Sequence, residues 1–457
     1  MEKIMKKIIR YGTAAEQRYI NQFKDDFDLL IVNANMICHA SASISKFIAT
    51  KKINYLIDPM THSFQHSTDF LKSDKTKKIK KSILKLLDYY PDFVKEKILS
   101  DCVLLPSDFK DKKNNCELFV TSTIDFQKYH VENNFQVKDY NKYIDFLKDI
   151  DKIDYSPEYL IAPYFMMNTK NISEWLPLNI EFIKIAQTHY SNEEKISAQI
   201  IIQKDILYSQ SAIEQIIESY SKLGIQNIFL WVDDFTAFDS SLEELKNFYY
   251  LISSFSKNNI DVYNLYGSYF STLLCHPSIK LGLSGNCHGL EYGEKRAIVP
   301  VGGGIPVNKY YLPTIHQRLN YGIVAKLLVS IGILPDNLER YYKEICHCKQ
   351  CQEVIKNDLN NFAEYGSAKP IEMKRKGMSI TRNYPTTGAK EICINHFLYN
   401  KLKEWDDISK FNLKSLLEAC KLSSDNYKHV IGTDTLGTYI MWESFFNSIE
   451  KDNISYD

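Results

Sequence analysis

The sequence predicts a parallel (β/α)8 barrel of the TIM type, followed toward the C-terminus by a cysteine-containing subdomain. Three observations predict it. Short apolar runs rich in β-branched residues recur eight times between Asp28 and Gly285, and stretches with helical spacing separate them. After the last run the chain changes character and crowds three cysteines into Cys346–Cys351.

Taken in order, the strand-like runs are Asp28–Asn33, Ile53–Asp58, Glu117–Thr121, Glu158–Pro163, Ser197–Gln203, Asn227–Asp233, Ile260–Gly267 and Ile279–Gly285. The stretches Ile79–Tyr90, Asn141–Ile150, Ser211–Leu223 and Leu242–Ser256 repeat their apolar residues at three- and four-residue spacing and end near Gly, Asn or Pro. A doubly wound open sheet is the competing arrangement. It wants a glycine-rich phosphate loop after its first strand, whereas Asp28–Ala34 runs into Asn-Met-Ile-Cys-His. Asn320–Ile333 reads as an apolar helix after the barrel. A Gly/Pro/basic stretch then spans Gly366–Gly388, and a helix covers Glu391–Trp405. The expected division is a barrel over 1–335 and a subdomain with C-terminal helices, packed on the barrel, over 336–457.

Composition narrows the function. The 457 residues are 44% hydrophobic and 25% charged, enough apolar material for a large core. Basic and acidic residues balance at 56 each, so any polyanion must be held by a local patch and not by a global field. Lys72–Lys81 at the start of a helix reads as a solvated face. The longest apolar runs, Leu29–Val32 and Ile228–Val232, fall far short of the roughly 18 residues of a membrane span. With a charged N-terminus and no signal-like segment, a cytoplasmic protein is expected.

Cys346, Cys348 and Cys351 have C-x-C-x2-C spacing, which lets three thiolates converge on one tetrahedral zinc ion. His396 on the predicted helix is the first choice for a fourth ligand, with Cys393 and then His347 as alternatives. Four protein ligands leave no open position, so the expected zinc is structural.

Polar residues at the C-terminal ends of barrel strands face the active site. Asp58 ends one strand, and Asp233 and Asp234 end another; only one of the latter pair can face inward, because neighbours on a strand point opposite ways. Two acids across a cavity can divide glycosidic chemistry into nucleophile and proton carrier. Gln203 ends its strand in the same layer and is suited to a purine edge. His62 and His66 lack a third metal partner. The glycine-rich segments Leu283–Arg296 and Val301–Pro313 allow close backbone approach to a ligand, with His288, Gly289, Glu291, Tyr292, Glu294 and Arg296 supplying chemistry. Lys374, Arg375, Lys376 and Arg382 form a basic strip suited to a phosphate backbone.

Together, the Asp58-to-Gln65 segment ending in Phe-Gln, the strand ending in Gln203, Leu265-Tyr-Gly-Ser268 and the late C-x-C-x2-C with a downstream His resemble the tRNA-guanine transglycosylase superfamily. Ser284–Glu294, Gly302-Gly-Gly and Tyr310-Tyr-Leu-Pro313 look more like its DNA-modifying branch, the DNA 7-deazaguanine transglycosylases of phages and genomic islands. The resemblance implies a pentosyltransferase that exchanges guanine in DNA for a 7-deazaguanine base such as 7-cyano-7-deazaguanine, through a covalent glycosyl-enzyme. It implies Asp58 as the first catalytic Asp, Asp233 or Asp234 as nucleophile, Phe64, Gln203, His288 and Gly289 around the base, and zinc on Cys346, Cys348, Cys351 and His396. A tRNA substrate, a catalytically silent nucleic-acid-binding subunit, companion modification proteins and a homodimer remain open alternatives. Two departures stand out: Asp-Pro-Met-Thr-His-Ser-Phe-Gln is two residues longer than the tRNA-type Asp-Ser-Gly-Gly-Phe-Gln, and Ser284-Gly-Asn-Cys-His has no Asp where the tRNA-type nucleophile is expected.

Overall fold

The computed structural model describes residues 5–12, 16–73, 76–135, 155–190, 195–290, 308–375, 377–432 and 434–454. Eight parallel strands carry the fold: β1 (Lys6–Tyr11), β2 (Leu29–Asn33), β3 (Tyr55–Asp58), β4 (Leu160–Ile161), β5 (Ile196–Ile202), β6 (Asn227–Val232), β7 (Asp261–Asn264) and β8 (Gly285–Gly289). Their order is β3-β2-β1-β8-β7-β6-β5-β4. The two ends approach each other, and the Glu158 amide donates to the Tyr55 carbonyl at 2.8 Å, so the sheet nearly closes into a barrel.

Side chains alternate across the strands, which builds two cores. Ile8, Leu29, Ile31, Leu56, Phe229, Trp231, Tyr263 and Cys287 fill the barrel interior. Their neighbours Ile9, Leu30, Val32, Ile57, Ile228 and Leu230 pack outward beneath the helices. Because both faces are covered, the strands read as nearly continuous apolar runs.

The predicted barrel is present, with three corrections to its strands. Glu117–Thr121 lies inside the helix Lys113–Asn134, whose buried Cys116, Phe119, Val120, Thr123, Ile124, Gln127 and Val131 follow helical spacing. The first strand is instead Lys6–Tyr11, where Lys6, Lys7 and Arg10 obscure the apolar pattern. The last strand is Gly285–Gly289, not Ile279–Gly285. Glycine is required where backbones close in: a Cβ on Gly285 would lie 2.5 Å from the Lys6 carbonyl oxygen, and one on Gly267 would lie 2.0 Å from Asn286 Oδ1. The expected helix Asn141–Ile150 falls outside the described residues.

Beyond the barrel, β9 (Lys309–Leu312) and β10 (Gln317–Asn320) form a hairpin that leads into the helix Tyr321–Ser330. Within the Gly/Pro/basic stretch lies a second hairpin, β11 (Ala368–Arg375) with β12 (Met378–Pro385). Three helices follow, Thr387–Lys410, Leu413–Ile431 and Asp434–Ile454. The outer core runs without a break from the barrel into these helices, and the Trp442 indole donates to the Ala237 carbonyl at 3.2 Å. Among the described residues no helix is long and apolar enough to cross a membrane.

Candidate active site and metal centre

Two buried polar clusters stand out, one inside the barrel at the C-terminal ends of its strands and one beside the long helix Thr387–Lys410. The first is built around Asp58, the last residue of β3, which is 0% exposed. Arg10, two residues from the inward-facing Ile8 on β1, reaches it with Nη2 2.5 Å from Asp58 Oδ2 and also donates to Asn33 at the end of β2. The Tyr164 hydroxyl and the Met60 amide donate to Asp58 Oδ1, the latter at 3.0 Å. Gln199 from the middle of β5 donates to Asp58 Oδ2 at 3.3 Å and to the Tyr164 hydroxyl oxygen at 2.8 Å. The Tyr266 ring lies under the guanidinium at 5.0 Å, a cation–π contact.

Burial alone would raise the Asp58 carboxyl, but the Arg10 guanidinium and the Tyr164 hydroxyl more than offset it and hold the group below its ordinary value. Asp58 is therefore a carboxylate at neutral pH, equipped to accept a proton and not to supply one. Its partner Arg10 is 2% exposed, and its Nε and Nη1 meet no hydrogen-bond partner among the described residues. Such donors in a buried mouth suit an acceptor atom of a ligand or water. His62 stacks on Tyr164 with centroids 5.5 Å apart and meets Trp231 edge-on at 5.6 Å, which makes it a wall of this cluster.

The remaining predicted residues divide. Asp233 is half-buried and shares the parity of the inward-facing Trp231. Asp234 is exposed, at a φ of 50° in the left-handed region. Gln203 is half-buried just past β5, and the residue of that strand on Asp58 is Gln199. Phe64 does not line the barrel interior: it sits in the outer core, edge-on to Tyr90 at 5.3 Å, because Gln65 instead turns inward and bonds the Met166 backbone twice at 2.9 Å. His288 also points out of the barrel, since Cys287 beside it takes the inward position on β8. It stacks on Trp405 of the long helix at 5.5 Å, and burial together with Lys401 and Arg318 pushes its imidazole well below the ordinary value. Gly289 ends β8, and its carbonyl accepts from Arg318 at 3.0 Å. Glu291, Tyr292, Glu294, Arg296 and Gly302–Gly304 lie outside the described residues.

Arg10, Tyr164 and Gln199 were not singled out from the sequence. A signal exists for Gln199, a lone amide inside the apolar run Ala198–Ile202; Arg10 was hidden because its strand was not recognised.

At the second cluster, Cys346, Cys348, Cys351 and His396 are all buried, with ligand atoms within 4.8 Å of one another, so the group can hold a metal ion. His396 Nδ1 lies 3.8, 3.3 and 3.4 Å from the three sulfurs. A tetrahedral ion bonded to sulfur and nitrogen at about 2.3 and 2.0 Å would need about 3.5 Å between them, so the cage fits. His396 Nε2 lies 2.7 Å from the Tyr311 carbonyl oxygen and must donate to it, which leaves the Nδ1 lone pair facing the sulfurs. Around them the Tyr365 and Tyr341 hydroxyls approach Cys351 Sγ at 3.0 and 3.3 Å, and Asn400 approaches Cys346 Sγ at 3.6 Å. Cys393 contacts the Tyr365 carbonyl instead, and His347 is exposed.

Nearby, Glu404 pairs with Lys401 at 2.9 Å and with His316 at 2.6 Å. Burial would raise Glu404, but these neighbours and the Tyr311 hydroxyl bring it down to about 2. Of the basic strip, Arg382 is exposed on β12, Lys374 and Arg375 fall at the end of β11, and Lys376 is outside the described residues. Within the basic Lys72–Lys81 stretch, Lys72 pairs with Asp101 at 2.8 Å. No protein-family model, curated protein or solved structure matches this chain.

Proposed function

We propose that the chain is a pentosyltransferase that exchanges guanine in DNA for a 7-deazaguanine base, with zinc as the structural ion of the Cys3His cage. The observation that carries this reading is the ionised, buried Asp58 at the C-terminal end of β3, held by Arg10, Tyr164 and Gln199. A carboxylate in an apolar barrel is costly unless paired, and perturbed acids in such a position concentrate at functional sites.

In this reading the Asp233 carboxylate attacks C1′ as the bond from C1′ to the guanine nitrogen breaks, and the departing base takes up a proton from water. The incoming 7-deazaguanine then gives its ring N–H proton to Asp58, which releases it to water, and its nitrogen displaces Asp233 from C1′, so the exchange is proton-neutral overall. Arg10 keeps Asp58 ionised for that transfer. Labelled 7-cyano-7-deazaguanine should enter duplex DNA, and Asp58→Asn should reduce incorporation at least a hundredfold. The trapped protein–sugar adduct should map to Asp233. Incorporation into tRNA alone would reassign the substrate, and an adduct on Asp234, Glu291 or Glu294 would reassign the nucleophile.

A second reading, a silent nucleic-acid-binding subunit, is favoured by one feature: four donors already occupy both oxygens of Asp58. Absence of exchange on either nucleic acid, with DNA binding intact, would select it.

A further inference from the structure

The β11/β12 hairpin has two chemically different faces. Its register pairs Lys369 with Tyr384, Ile371 with Arg382, Met373 with Ile380 and Arg375 with Met378. Residues directly opposite one another share a face, and successive pairs alternate between faces. One face therefore carries Lys369, Ile371, Met378, Ile380, Arg382 and Tyr384, and the backbone register puts positions 373 and 375 in the same row. The other carries Pro370, Glu372, Ser379, Thr381 and Asn383, and the register puts position 374 in the same row. Glu372 lies on the face opposite Lys369 and Arg382, and the exposed Ile371 and Met378 accompany those two cations. Ile371 and Met378 are 43% and 64% exposed, and Lys369 and Arg382 are exposed beside them.

Both ends of the hairpin are anchored at the metal cage. Tyr365, two residues before the β11-leading Ser367, touches Cys351 Sγ, and Thr386 caps the helix that carries His396 while its amide donates to the Ser367 carbonyl at 3.1 Å. A fixed ribbon with an exposed face of cations and apolar side chains is an unusual surface to leave in water.

We propose that this face lies in a groove of duplex DNA, with Lys369 and Arg382 on phosphates and Ile371 and Met378 against sugar and base edges. The inference rests on the nucleic-acid reading above and decides between its substrates. A two-stranded ribbon fits the wide major groove of B-form DNA, whereas the major groove of A-form RNA is too narrow to admit it. Self-association through the same face is disfavoured, because an isologous contact would bring Lys369 and Arg382 against their own copies.

The test measures binding of the full chain to a DNA duplex and to an RNA duplex of matched sequence, between 50 and 200 mM salt. Lys369→Ala with Arg382→Ala should flatten the plot of log K against log salt by roughly two, and Ile371→Ser with Met378→Ser should weaken DNA binding on the order of tenfold at unchanged slope. Unchanged metal content and circular dichroism in each variant establish that the fold is kept. An unaltered slope and affinity would overturn the proposal, as would equal losses on the RNA duplex or a dimer that dissociates in the variants without loss of DNA binding. Base exchange is assayed separately: wild-type protein that binds DNA through this face yet exchanges no base would sink the transferase reading and leave the ribbon assignment standing.

Discussion

The barrel mouth and the metal cage solve the same problem in opposite ways. Each buries polar groups, but Asp58 is neutralised from within the chain by Arg10, while the three thiols and His396 converge on a point that can hold a metal ion. The mouth is assembled from β1, β2, β3, β5 and the segments after β4 and β7, whereas three of the four cage ligands lie within one short segment. The difference teaches how each region should fail. A cage held by a missing ion loses its geometry at once, and a mouth held by reciprocal pairing loses it only when one partner is removed.

The largest effect should follow removal of the metal. Structural zinc contributes folding free energy on the order of 10 kcal/mol in isolated modules. Cys348→Ser should abolish stoichiometric zinc and expose the 368–385 ribbon to protease. Because the outer core continues from the barrel into the C-terminal helices, the whole chain should also melt at lower temperature. Metal-free protein that melts like the wild type would show that the cage does not hold the two parts together.

Next in size is the ion pair. Removing one partner of a buried pair typically costs about 3–5 kcal/mol, because the other charge is left uncompensated. Arg10→Met and Asp58→Asn should each lie in that range by denaturant unfolding, and the double variant Arg10→Met with Asp58→Asn should cost far less than the two single losses added together. Additive losses would mean that the two groups are not energetically coupled.

Acid sharpens the contrast. The folded-state pKa of Asp58 is depressed below 3.8, so its contribution to stability is fully present above about pH 4 and is lost as pH falls through the lower folded value. Glu404, brought from 4.5 down to about 2, behaves in the same sense, losing its contribution between those values. Stability measured from pH 6 down to pH 2 should fall, and Asp58→Asn should fall less steeply than wild type. Parallel curves would place the acid-sensitive group elsewhere.

The contrast also explains which features the sequence alone makes legible. The cage was legible because its cysteines are adjacent and because His396 sits in a helix whose pattern is plain. The barrel was legible as a repeat of strand and helix, since parallel strands buried on both faces leave long apolar runs. What escaped was charge inside those runs. Arg10 lies in Lys-Lys-Ile-Ile-Arg-Tyr, which looks like a surface segment until Asp58, Asn33 and Tyr266 are brought around it. The helix Lys113–Asn134 misled because Glu117–Thr121 is a local apolar run within a longer helical period. Phe64 and His288 misled because the direction of a side chain past a strand end, or along an unrecognised strand, is set by register that spacing alone does not give.

The smallest expected effect separates Asp233 from Asp234. Asp234 has φ 50°, a conformation that Asp tolerates better than most residues and that glycine adopts without cost. If its role is to turn the chain after β6, Asp234→Gly should keep binding and exchange and shift stability by no more than about 1 kcal/mol, toward the more stable side. Asp233 shares the inward parity of Trp231, and Asp233→Ala should eliminate the covalent adduct while leaving DNA affinity within about twofold, since a nucleophile's carboxylate adds little to backbone binding. Loss of the adduct in Asp234→Gly with retention in Asp233→Ala would reverse the assignment. It would also require the strand end to rotate by one residue before the reaction, because only then would Asp234 face the barrel interior.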